Sequence, residues 1–86
     1  MGRLSTQRTN SAIAREFGVR VRACRQRKAW TLEELADRAN IHPTYLSGLE
    51  RGRRNPTLKV IANIARALGL KTADLFADPH RGSSSR

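Results

Sequence analysis

Residues 30–57, WTLEELADRANIHPTYLSGLERGRRNPT, decide the fold of this chain. Thr31 and Glu34 form a T-x-x-E capping box, a pattern that predicts the start of a helix. Pro43 suits the first position of a second helix, because its φ is already helical and its missing N–H needs no partner there. Asn40 stands between the two, where the chain must reverse, and Asn tolerates the left-handed conformation better than most residues. The stretch therefore predicts two short capped helices joined by a tight turn.

Apolar residues recur at helical spacing on both sides of this stretch. A first helix is predicted from about residue 11, from spacings of four, four and three in Ile13, Phe17, Val21 and Cys24. Gly18 lies inside this helix, where glycine is unfavourable by roughly 1 kcal/mol relative to alanine. A fourth helix is predicted after Pro56, with one buried face formed by Leu58, Ile61, Ile64, Ala65 and Leu68. Thr72 is predicted to cap a short fifth helix.

These elements predict an all-α fold: a compact five-helix domain over residues 11–78 with a helix-turn-helix at about residues 31–51. In such a motif the second helix lies in the major groove of DNA. The polar residues 1–10 are predicted to be a flexible basic arm. Residues 79–86, which are rich in Gly, Ser and Arg, are predicted to be a disordered tail.

The charge of the chain indicates a polyanionic partner. Its 86 residues include 17 Lys and Arg against 7 Asp and Glu, a net charge of +10, which favours nucleic acid or an anionic membrane surface. Excess arginine that only solubilises the surface is the alternative. Residues 1–30 carry a net charge of +7 and residues 51–59 one of +4, whereas residues 31–50 carry −3. The positive charge therefore flanks the helix pair, as phosphates on either side of a groove require.

Other classes of protein are disfavoured. No apolar run approaches the ~20 residues of a membrane span, and no secretory signal is visible. The single cysteine, Cys24, permits no internal disulfide, so a cytoplasmic location is expected and Cys24 is interpreted as a small core residue. No nucleophile–base pair, carboxylate dyad or Gly-rich phosphate loop is visible, so no enzyme is expected. We also expect no metal, cofactor or small-molecule ligand, since His42 and His80 are the two histidines and there is no cysteine cluster.

The chain resembles the lambda-repressor-like, Cro/Xre-type family of DNA-binding proteins. The resemblance covers roughly residues 17–76 and lies in FGVRVRACR, TLEELADRANIHPTYLSGLERG and RRNPTL, with the small Ala36 where two helices cross. Within the family, HPTYLSGLERGRRN is similar to the small controller proteins of restriction–modification operons and to stand-alone Xre-type regulators. Leu32 stands where many members have Gln, and Pro43 stands where controller proteins often have Arg, so the DNA site is expected to differ from theirs.

The resemblance implies where DNA would be contacted. Base edges are assigned to His42, Thr44, Ser47 and Gly48, at the start of the third helix and along one face of it. For His42, a helix cap without base contact is the alternative. Phosphates are assigned to Thr31, Tyr45, Arg53, Arg54 and Asn55. For Tyr45, packing between the third and fourth helices is the alternative. For the residues after the third helix, the alternative is a solvated loop without DNA contact.

The resemblance also implies an ion pair and a second copy of the chain. Arg25 and Glu50 are expected to pair and to fix the first helix against the third. A homodimer on a palindromic operator is expected, with half-sites about one helical turn (~34 Å) apart. Its interface is assigned to Ile64, Leu75 and Phe76, for which burial in the core is the alternative.

The sequence thus predicts a sequence-specific transcriptional regulator of double-stranded DNA. Such a regulator can be a restriction–modification controller that regulates its own operon. RNA polymerase is then a further partner, which the bound regulator either blocks or recruits. Two alternatives stay open. The first is an antitoxin whose main partner is a toxin protein. The second is a non-specific nucleic-acid coating protein, which explains the charge but not the capped helix pair.

Overall fold

A computed structural model describes the backbone of residues 2–76 and the side chains of residues 12–76. It contains α1 (Gly2–Arg27), α2 (Leu32–Ala39), α3 (Pro43–Glu50), α4 (Leu58–Leu68) and a final 3-10 helix (Thr72–Phe76). The predicted all-α class is confirmed, and the fifth predicted helix is this short 3-10 element. Within the described residues, no helix is both long and apolar enough to cross a lipid bilayer. The predicted tail at residues 79–86 lies outside the described residues.

Local capping signals fix the ends of α2 and α3. The Thr31 Oγ1 accepts the Glu34 N–H at 3.1 Å, and the Glu34 Oε1 accepts the Thr31 N–H at 2.7 Å, so the predicted capping box is formed. Asn40 ends α2 in the left-handed conformation, with φ 58° and ψ 46°. Pro43 is the first residue of α3. The capping box, the reversal at Asn40 and the proline at the start of the second helix are thus formed as predicted.

Two helix starts differ from the prediction. The α1 helix begins at Gly2 instead of near residue 11, since no Gly or Pro between residues 3 and 17 interrupts it. The division of the chain into an arm at residues 1–10 and a domain after it stays a prediction. The last element begins at Thr72 itself, and the carboxylate of Asp74 in its first turn accepts the Lys71 N–H at 3.0 Å.

One hydrophobic core joins all five elements. Its buried members are Phe17, Val21, Leu35, Ala36, Ala39, Leu46, Leu49, Ile61, Ile64, Ala65, Leu68 and Leu75. Leu58, predicted to be buried with the stripe of α4, is instead 82% exposed. At 100° per residue, Leu58 lies about 70° from the centre of that stripe, which places it at the edge of the core. The stripe of α1 is likewise buried at Phe17 and Val21 but half-exposed at Ile13.

The crossing of α1 and α3 depends on two glycines. A Cβ on Gly18 would stand 2.7 Å from the carbonyl oxygen of Glu50 and closer still to that of Leu49. A Cβ on Gly52, whose φ is +77°, would stand 2.8 Å from the Cα of Arg15. The backbone of α1 therefore lies directly against the C-terminal end of α3. Gly18 is needed for this contact, although by sequence it appears only as an unfavourable position in a helix.

Candidate nucleic-acid interface

The start of α3 is held by the histidine before it. His42 has extended backbone, with φ −72° and ψ 138°, and its Nδ1 accepts the Thr44 N–H at 3.1 Å. The cap that was the alternative for His42 is therefore present. In a neutral imidazole whose Nδ1 accepts, the proton is on Nε2. Nε2–H is then a donor that the cap does not use.

The outward side of α3 carries short side chains. Thr44 is exposed, and Ser47 and Gly48 are half-buried. They are three and four residues after Thr44, so the three share one face. Leu46 and Leu49 have no exposed surface and anchor the opposite side in the core. We call Thr44, Ser47 and Gly48 the reading face, because this is the surface that α3 offers to a partner.

An arginine from the following loop lies across this face. A Cβ on Gly48 would stand 3.2 Å from both the Cγ and the Nε of Arg54. The guanidinium carbon of Arg54 lies 5.7 Å from the centroid of the Tyr45 ring. The Tyr45 ring is half-buried and packs against the core. The side chain of Arg54 therefore lies along α3, which the sequence did not indicate.

The N-termini of α2 and α4 differ in what they offer an anion. The Thr57 Oγ1 accepts the Val60 N–H at 3.2 Å, and the first turn of α4 has no acidic residue. The first turn of α2 contains Glu33 and Glu34, and the N–H of Thr31 is already donated to Glu34. The start of α4 is therefore electrostatically more favourable for an anion than that of α2. At Thr31, the hydroxyl proton is the donor left for a phosphate.

A bidentate ion pair fixes the end of α3. The Arg25 Nε donates to the Glu50 Oε2 at 2.8 Å, and the second guanidinium nitrogen donates to Oε1 at 2.9 Å. The third donates to the carbonyl oxygen of Trp30 at 2.9 Å, a contact that the sequence did not reveal. The Glu50 carboxylate raises the pKa of the Arg25 guanidinium through these hydrogen bonds, against the opposing effect of burial. The predicted pair is thus formed. Through Arg25, it joins three parts of the chain: α1, α3 and the loop that precedes α2.

Basic side chains cover the tryptophan in that loop. The guanidinium carbon of Arg38 lies 4.3 Å from the centroid of the Trp30 ring, and the Lys28 Nζ lies 5.3 Å from it. The ring itself packs against the core. The Arg38 contact joins the last turn of α2 to the loop between α1 and α2.

Two of the three residues assigned to a dimer interface are core residues. Ile64 and Leu75 have no exposed surface, and a side chain without accessible surface cannot contact a second chain. Their assignment is corrected to the core, which was the alternative. Phe76 is 46% exposed and stacks on Phe17 with ring centroids 5.1 Å apart. It forms a wall of a groove of about 340 Å³ whose other lining residues are Ile13, Ala14, Phe17, Asn55, Pro56 and Ile61.

A capped pair of short helices with one outward polar face defines a helix-turn-helix domain. Residues 21–75 match a family model described as helix-turn-helix. The control protein C.BamHI from Bacillus amyloliquefaciens is 43% identical over 61 residues, which span 70% of this chain and 75% of that protein. The chain spans from 42% to 75% of the length of the first curated relatives that it matches.

Solved structures agree with this match. The restriction-modification controller protein C.AhdI from Aeromonas hydrophila superposes with a TM-score of 0.74 at 37% identity, over 76% of this chain and 98% of that one. SinR, a master regulator for biofilm formation solved in complex with DNA, superposes with a TM-score of 0.68 at 29% identity, over 71% and 98% of the two chains. The chain belongs to the helix-turn-helix family, and the predicted membership of its Cro/Xre type is confirmed.

Proposed function

We propose that this protein is a transcriptional regulator that binds double-stranded DNA in a sequence-specific manner. The reading face carries this proposal, because Thr44, Ser47 and Gly48 are presented outward from a helix that is anchored by buried Leu46 and Leu49. The family and the SinR structure, which was solved with DNA, support it. The net charge of +10 supports a polyanionic partner.

The base contacts follow from the donors and acceptors of α3. The hydroxyl groups of Thr44 and Ser47 can donate to or accept from base edges, and the methyl group of Thr44 can contact the methyl group of thymine. The Nε2–H of His42 is a further donor at the start of the helix. Gly48 has no Cβ to hold α3 away from the groove floor.

The phosphate contacts flank these residues. Arg53 and Asn55 are exposed in the loop before α4, whose N-terminus lacks acidic residues. The hydroxyl groups of Thr31 and Tyr45 complete the set. Arg54, assigned to phosphates by the sequence, differs from these residues because its side chain lies along α3.

We propose a homodimer on a palindromic operator, since one reading helix contacts only a few base pairs. The half-exposed Phe76 and its groove supply apolar surface at the end of the fold for such a contact. The similarity to C.BamHI and C.AhdI supports the role of a restriction–modification controller that regulates its own operon. A dimer bound at a promoter would block RNA polymerase or recruit it.

In vitro selection of duplexes by the purified full chain tests this function. We expect a palindromic consensus, and Thr44→Ala and Ser47→Ala are expected to relax the preference at single base pairs by roughly 5- to 150-fold. Thr72→Ala replaces an exposed threonine in the 3-10 helix, far along the chain from α3, and is expected to leave the consensus unchanged. Recovery of random duplexes by the unmutated chain would contradict the proposal and favour a non-specific coating protein.

Salt dependence tests the phosphate contacts separately. If the dimer neutralises about 6–10 phosphates, its affinity is expected to fall by roughly 10³- to 10⁵-fold between 50 and 200 mM salt, because bound counterions are released. Fluorescence anisotropy of a labelled selected duplex over this range measures the slope. An affinity that does not change with salt would show that the arginines of this chain are not at the phosphates.

A further inference from the structure

The reading face has no long side chain of its own. Thr44, Ser47 and Gly48 are short, and the one charged residue of α3, Glu50, is bound to Arg25. A bidentate contact to the O6 and N7 of guanine needs a side chain with two donors in a fork, as in arginine. Nothing within α3 itself supplies one.

Arg54 lies where such a side chain would be. Its Cγ and Nε are 3.2 Å from the point where a Cβ of Gly48 would stand. The stem of Arg54 therefore occupies the space that any side chain at position 48 would enter. Although Arg54 comes from the loop, it supplies a long cationic side chain to the reading face.

The surroundings of Arg54 keep its donors available. The Tyr45 ring lies 5.7 Å from its guanidinium carbon and can hold the plane by a cation–π contact without using an N–H. Among the described side chains, no carboxylate is within ion-pair distance of Arg54. The residue is exposed, so its guanidinium is accessible from the solvent.

We propose that Arg54 is a specificity-determining residue that donates to a guanine edge in the major groove, and that Gly48 and Tyr45 hold it for that contact. This rests on the proposed function, and it replaces the phosphate contact that the sequence assigned to Arg54. Arg53, the neighbouring arginine, keeps the phosphate role. Substitution of Arg54 is therefore expected to change base preference, whereas substitution of Arg53 is expected to weaken binding to all duplexes.

A binding experiment separates the base contact of Arg54 from the phosphate contact of Arg53. It compares the affinity of the full chain for the selected duplex with its affinity for single-base-pair variants of that duplex. Arg54→Lys keeps the charge but loses the fork. It is expected to lower the preference for one G·C pair in each half-site by about 10- to 100-fold, with other positions and the salt slope unchanged. Gly48→Ala is expected to lower the preference for that same base pair several-fold, because the new methyl group displaces the stem of Arg54. Arg53→Ala, the matched control, is expected to weaken all duplexes alike and to reduce the salt slope by about one.

The outcomes distinguish this inference from the function on which it rests. If the unmutated chain is specific but Arg54→Lys and Arg54→Ala keep its base preferences, Arg54 is not a base-reading residue and only this inference fails. Loss of preference at different base pairs in Gly48→Ala and Arg54→Lys would also overturn it. Equal binding of all duplexes by the unmutated chain would overturn both. Thermal melts of each variant test the fold, and Tm values close to that of the unmutated chain are expected for the substitutions at positions 48 and 54.

Discussion

Replacing Gly18 with alanine is expected to destabilise the domain by roughly 1–3 kcal/mol. The new Cβ would stand 2.7 Å from the Glu50 carbonyl oxygen and closer to that of Leu49. Both neighbours are backbone atoms at the end of α3, so no side-chain rotation relieves the overlap, and α1 and α3 must separate. The higher helix propensity of alanine contributes about 1 kcal/mol in the opposite direction, which the clash exceeds.

Gly48→Ala is the matched control for this substitution. The same change is made inside a helix, but the atoms that the new methyl group meets belong to the flexible, exposed side chain of Arg54. Its stability is expected to stay the same or to rise by up to about 1 kcal/mol. Urea unfolding followed by circular dichroism measures both variants. A Gly18→Ala variant as stable as the Gly48→Ala variant would show that α1 does not lie against the end of α3.

The Gly18→Ala substitution is also expected to weaken DNA binding. The carbonyl groups that the methyl group displaces belong to the last turn of α3, whose outward side is the reading face. The domain is small, and each kcal/mol lowers the Tm by about 4–8 °C. Binding is therefore measured well below the Tm, where a weakened affinity reports a displaced α3 rather than unfolded protein.

The helix-turn-helix itself could be predicted from the sequence because its signals are local. Thr31 and Glu34 bond each other over one turn, Pro43 fixes its own φ, and Asn40 adopts the left-handed conformation alone. None of these effects requires knowledge of what packs nearby. The bounds of α2 and α3 therefore follow from the residues that form them.

The parts that could not be predicted depend on contacts between distant elements. Within its own helix, Gly18 only lowers the helix propensity. Its role in packing is seen only when α3 lies across it. Ile64 and Leu75 are apolar whether they face a core or a second chain, and only the fold shows that they have no exposed surface. The position of Arg54 on Gly48 follows from the path of a loop. Even the Arg25–Glu50 pair, which joins residues 25 apart, was predicted through family resemblance and not through spacing.

Removing one partner of that pair is expected to have the largest effect on stability. The side chains of Arg25 and Glu50 are 13% and 6% exposed, so Glu50→Ala leaves a largely desolvated guanidinium bonded only to the Trp30 carbonyl group. We expect a loss of about 3–5 kcal/mol for Glu50→Ala or Arg25→Ala. Since domains of this kind are stable by only about 5–15 kcal/mol in total, either variant is expected to be marginally folded. Urea unfolding measures the loss, and Glu16→Ala, an exposed carboxylate of α1, is expected to change stability by less than about 0.5 kcal/mol.

The double variant Arg25→Met, Glu50→Leu separates the charge from the packing. Because both ions are removed together, no unpaired buried charge remains, and its stability is expected to return to within roughly 1–2 kcal/mol of the unmutated chain. If the apolar pair restores the fold but base preference in the selected duplex is relaxed, the ion pair stabilises little and serves to orient α3 through its two hydrogen bonds. If fold and preference return together, apolar packing alone positions the reading face. A double variant as unstable as the single ones would contradict the expectation that their instability comes from an unpaired buried charge.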